Sequence, residues 1–75
     1  MYNFRIMYVD KSYVDIDDVK SVVHPDFLGN AVNVQGDELL THEYPLTDTL
    51  HFICDSEACV VAGKEIKSIH VTKKP

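Results

Sequence analysis

Apolar residues recur at every second position near the N-terminus. Phe4, Ile6 and Tyr8 share one side of residues 2–9, a stretch rich in aromatic and β-branched side chains, and this predicts a strand. Asp10-Lys11-Ser12 is turn chemistry, with residues 13–16 as the hairpin partner. Asp17 followed by Val19, Val22 and Val23 has helical spacing, yet all three valines are β-branched and Pro25 stops the run. A tight turn and a third strand are expected there instead. The C-terminal part has the same order of elements. Leu50, Phe52 and Cys54 alternate, Asp55-Ser56-Glu57 is a polar turn, and residues 58–62 give a second strand. Gly63-Lys64-Glu65 is another turn before a final strand over residues 66–72.

Laid side by side without gaps, residues 6–22 match residues 53–69. Asp18-Val19-Lys20-Ser21-Val22 against Glu65-Ile66-Lys67-Ser68-Ile69 carries most of the likeness. It fits a strand, one tight turn with Val19 or Ile66 pointing inward, and a returning strand. Two such three-stranded units would pack face to face or close into a small barrel, each covering the other's apolar face. Between them, residues 31–34 suggest a short strand, Gly36-Asp37 a turn, and residues 38–42 a strand or a helical turn. Pro45 confines its neighbourhood to an edge or an irregular path. The expected fold is all-β, or a β-dominated α+β domain. It is a small sandwich or SH3-like barrel of five to seven short strands, one domain over residues 1–75 with a frayed basic tail at 73–75.

Composition narrows the function. Seventy-five residues with 45% hydrophobic and 25% charged content are globular rather than disordered. So short a chain buries only about 60–65% of its unfolded surface, which leaves little interior for a water-excluded active site. No apolar run approaches the ~18–20 residues of a membrane span, and no signal-peptide core is present, so a cytoplasmic location is expected.

His24-Pro25-Asp26 resembles the tripeptide with which J-domain cochaperones stimulate their chaperone ATPase. The likeness ends at those three residues, because Val14-Asp15-Ile16-Asp17-Asp18-Val19 before them is acidic and β-branched instead of a basic helix. Pro25 followed by Asp26 is a turn signal instead. Calcium is excluded similarly: an EF-hand loop starting at Asp15 would need Gly and Glu where Lys20 and Asp26 stand. No serine lies in a nucleophile elbow, Gly63-Lys64-Glu65 lacks the rest of a phosphate loop, and His42-Glu43 lacks a zincin's second histidine. Cys54 and Cys59 flank a four-residue turn. They suit free thiols, a cross-strand disulfide, or, with His51 and His70, a zinc site of irregular spacing. The expectation is no enzyme, no metal and no cofactor.

Charge is unevenly distributed. Residues 1–63 hold eleven acidic against three basic residues, a net of −8, whereas residues 64–75 have a net of +3. An acidic face that engages a basic partner would fit this pattern. The expected function is therefore a small acidic, non-catalytic protein-binding module. It would inhibit or regulate a larger protein machine, such as a host's in the manner of phage and mobile-element proteins, through Asp15, Asp17, Asp18, Asp26, Phe27, Asp37, Glu38, Glu43 and Tyr44. Two alternatives remain: a nucleic-acid-binding β-domain using Lys64, Lys67, Lys73 and Lys74 as a basic edge, or a homo-oligomeric structural subunit built on edge strands.

Overall fold

Alternation of apolar and polar residues produces seven antiparallel strands in a computed structural model that describes residues 1–75. They are β1 (Tyr2–Tyr8), β2 (Tyr13–Ile16), β3 (Ser21–Pro25), β4 (Ala31–Gln35), β5 (Thr49–Ile53), β6 (Ala58–Ala62) and β7 (Ile66–Lys73). A four-residue helix, α1 (Glu38–Thr41), follows β4, and a 3-10 turn over Gly63–Glu65 precedes β7. The strands form two sheets, ordered β2-β1-β7 and β4-β3-β5-β6. Helix α1 packs on β4 and β7, so it bridges one strand of each sheet. No helix is long and apolar enough to cross a membrane.

Each half of the chain makes a hairpin and then sends its third strand into the other sheet. β1 and β2 pair in the first sheet while β3 joins β5 in the second; β5 and β6 pair in the second while β7 joins β1 in the first. The expected three-stranded units are therefore interlocked rather than stacked as separate sheets. Both crossovers are tied down by the backbone. The Val19 N–H donates to Tyr2 O at 2.8 Å and the Lys20 N–H to Ile53 O at 2.8 Å, while Val9 N–H reaches Glu65 O at 2.9 Å. Val19 and Ile66 turn inward at the equivalent points, and both are buried.

The gapless repeat is correct only from those residues onward. Ile6 faces Ile69 and Val14, whereas the residue that faces Val22 and Cys59 is Phe52. Phe52, not Ile53, is thus the counterpart of Ile6, and Cys59, not Val61, that of Val14. Because side chains alternate faces, a slip of one residue would have turned the β5 core positions outward.

A single core of eleven buried side chains lies between the sheets. Phe4 and Phe52 meet edge to face with centroids 5.2 Å apart, joining the sheets at the centre. Leu39 of α1 covers the end of this core with no exposure. Residues 38–41 form a helical turn, closed by N–H bonds from Leu39 to Gly36 O, Leu40 to Asp37 O and His42 to Glu38 O, with Leu39 inward and Glu38 and Leu40 facing out.

The chain end does not fray at Lys73. That residue closes β7 opposite Tyr2, and the Lys74 N–H donates to Met1 O at 2.8 Å. Lys73 Nζ also donates to Asp37 Oδ1 at 2.9 Å, and the Tyr2 hydroxyl donates to the same oxygen. These bonds, that from Tyr2 foremost, hold the Asp37 carboxyl below the usual range. A depressed carboxyl stabilises the fold above its unfolded pKa of about 3.9, and the contribution is lost as pH falls through the lower folded value. Asp37→Asn should lower the thermal midpoint at pH 7. In melts over a pH series, its difference from wild type should close below about pH 4.

Candidate protein-binding site

The tip between β3 and β4 is built by Asp26. Its N–H donates to Asn30 O at 2.8 Å, and its carbonyl accepts the Gly29 N–H at 3.0 Å. Its Oδ1 accepts from the N–H groups of Leu28 and Asn30 at 2.8 and 2.9 Å. Gly29 takes φ +86°, a backbone region that disfavours other residues. Four hydrogen bonds thus fix a five-residue turn. The two side chains at its apex are apolar and face solvent: Phe27 is 95% exposed and Leu28 72%.

Of the expected binding residues, Asp26 holds this turn and Phe27 is presented by it. Leu28 escaped the sequence reading, although its place beside Phe27 at a Gly-containing turn was a usable signal. The remaining proposed binding residues are dispersed. Asp15 forms a two-point contact with Arg5, at 2.7 and 3.0 Å, on the outer face of the first sheet. Arg5 in turn lies 4.4 Å over the Tyr13 ring. Asp17 sits near an opening of about 420 Å³ between β2 and β6, whose rim also has Asp15 and Glu57. Asp18 occupies the crossover turn at φ 57°, its N–H donating to Asn3 Oδ1 at 3.0 Å. Asp37 and Glu38 begin α1, and Glu43 is exposed beyond it.

Tyr44 is not an exposed anchor. Its ring packs edge-on against Phe4 and His42, and its hydroxyl donates to Leu39 O at 2.9 Å. Burial pushes its phenol up to about 12. Periodicity gave no warning, because Pro45 places this residue in an irregular segment whose direction depends on α1.

The basic edge is diluted by its surroundings. Lys73 is paired with Asp37, and Lys74 borders a shallow hollow of about 530 Å³ that also holds Arg5, Asp15, Asp17, His70 and Thr72. Lys64 and Lys67 are exposed. A phosphate backbone meets mixed charge on that face rather than a continuous cationic track.

Cys54 and Cys59 are free thiols, and their register explains it. Cys59 lies opposite Phe52, while the Cys54 N–H bonds to Glu57 O, so the two are offset diagonally across the hairpin. Burial foremost, then the nearby Glu57, Asp18 and Asp55, push the Cys54 thiol up, leaving little reactive thiolate. The Cys54, Cys59, His51 and His70 set is not assembled. His51 points outward from β5 while both thiols pack toward the core, and His70 belongs to the other sheet. No three His, Cys, Asp or Glu side chains converge anywhere in the chain.

Two other histidines do meet. His24, at the end of β3 and 5% exposed, places Nε2 2.8 Å from Nε2 of the half-buried His42, just after α1. The Pro25 carbonyl lies 2.9 Å from His24 Nδ1 and can only accept, so that nitrogen carries a proton. In the neutral ring His24 Nε2 is then an acceptor, and His42 Nε2–H donates to it. This links the strand leading to the exposed tip with the end of α1.

No protein-family model matches this chain, and neither a curated protein nor a solved structure matches it.

Proposed function

We propose that this chain is a non-catalytic protein-binding module that docks through its β3–β4 tip and inhibits or regulates the larger protein it engages. The observation that carries this is Phe27, held 95% exposed by a turn with four internal hydrogen bonds. An aromatic ring left in water gains by entering an apolar pocket, and aromatic anchors account for much of the energy of interfaces. Because the turn is already ordered, binding forfeits less conformational entropy than it would for a mobile loop. The net charge of −5 favours a partner with a basic surround, where attraction raises the association rate.

The test is quantitative capture of partners on immobilised wild type and Phe27→Ser protein. Loss of an anchor of this type costs about 2 kcal/mol or more, so recovery of the partner should fall roughly 30-fold. The thermal midpoint should be unchanged, since Phe27 touches no core residue. Equal recovery by the two proteins would refute docking at the tip. Binding that depends instead on Lys64 and Lys67 and disappears steeply with salt would favour the nucleic-acid reading.

A further inference from the structure

We propose that His24 and His42 form a two-histidine chelate for a late first-row divalent cation of the zinc, nickel or copper class, with water completing its shell. The two Nε2 atoms already aim at one another across 2.8 Å. Tetrahedral zinc binds imidazole nitrogen at about 2.0–2.1 Å, which sets two such ligands about 3.3 Å apart. With centroids 5.0 Å apart the rings meet head-on. To chelate they must separate by about half an ångström and each turn by roughly 35°, bringing both lone pairs onto the ion.

The surroundings suit ligation. A metal-bound histidine characteristically donates its second ring N–H to a carbonyl or carboxylate, which fixes the ring and its tautomer; His24 makes that bond to Pro25 O. His42 is steadied by Tyr44, whose ring stands at 71° to it with centroids 5.0 Å apart. His42 is half-buried, which leaves a path for the ion from solvent. Imidazole pairs favour these metals, whereas magnesium and calcium require oxygen ligands that are not grouped here. The acidic chain raises the local concentration of cations.

Binding requires one proton to move. His42 Nε2 gives up the proton it donates to His24, and His42 Nδ1 takes one, so both rings stay neutral and both Nε2 lone pairs face the ion. The bound ion would clamp the end of β3 to the end of α1.

The experiment is a titration of the intact chain with zinc chloride, read by the ¹⁵N signals of the imidazoles and by the thermal midpoint. Without zinc, His24 should be the Nδ1–H tautomer and His42 the Nε2–H tautomer. Zinc should convert His42 alone to Nδ1–H and raise the midpoint, while magnesium chloride does neither. His42→Gln should weaken zinc binding at least about tenfold. A variant carrying Cys54→Ser, Cys59→Ser, His51→Asn and His70→Asn should bind as wild type does. The proposal is overturned if His42 keeps its Nε2 proton at saturating zinc, or if the zinc response is lost in the quadruple variant. The tautomer measurement uses the wild-type chain, so it decides the matter even if His42→Gln fails to fold.

Discussion

Gly63→Ala should remove most of the stability of the fold. A Cβ at this position would lie 2.3 Å from the Asp48 carbonyl oxygen and 2.9 Å from both the carbonyl carbon and oxygen of Leu46. All three are backbone atoms, so no side-chain rotation can relieve the clash. Nor can the segment retreat freely, because Asp48 O accepts the Gly63 N–H at 2.9 Å. Overpacking commonly costs about 1–3 kcal/mol, and a contact this close against backbone belongs at or above the upper end. A single core in a chain of this size rarely supplies more than about 3–5 kcal/mol in total. Circular dichroism melts should show a midpoint lowered by at least about 12–20 °C, or no cooperative transition. Gly29→Ala is the control. Nothing lies within 4 Å of its Cβ, so only the strain of φ +86° applies, about 1–2 kcal/mol. Similar melts for the two variants would show that close approach at Gly63 is not what the fold depends on.

Phe52→Ala should be nearly as damaging, for a different reason. Phe52 has no exposure, contacts Phe4 of the opposite sheet, and lies between Val22 and Cys59 on neighbouring strands. Truncation removes the contact that joins the sheets and leaves a cavity, at a cost of about 3–5 kcal/mol. That is comparable with the whole stability expected for the domain. Urea titration should find the variant largely unfolded without denaturant, and Phe52→Leu should recover much of the loss by refilling the space. Cooperative unfolding of Phe52→Ala at the wild-type midpoint would show that the sheets are joined elsewhere.

These two positions differ in how visible they are before folding. Phe52 stands in a period-two run with Leu50 and Cys54, so its strand and inward side follow from local alternation. The requirement for glycine at position 63 comes from residues 46–48, a loop with no sequence pattern of its own. Similarly, Val19 and Ile66 were recognisable as inward residues after charged turns. Their crossing into opposite sheets was not, because pairing between β3 and β5, or β1 and β7, joins segments far apart in the chain.

The candidate sites divide in the same way. Asp26 and Phe27 were legible as a turn with an adjacent aromatic, but only the paired β3 and β4 leave Phe27 without neighbours. Tyr44 carried the same local signal and is packed against Phe4 and His42 instead. His24 and His42 lie 18 residues apart and share no motif, so their 2.8 Å meeting depends on α1 bringing the chain back over the end of β3.

The sequence by itself determined the strands, their two hairpins, the inward turn residues and an acidic body with a basic end. Those properties reside in side-chain alternation, β-branching and turn chemistry, which act over a few residues. Tertiary structure decided the exchange of β3 and β7 between sheets, the slip within the repeat, the pairing of Lys73 with Asp37, the exposure of Phe27 and the meeting of the two histidines. Each of these is a contact between distant segments, and only burial of one shared core selects it from the many pairings that local pattern allows.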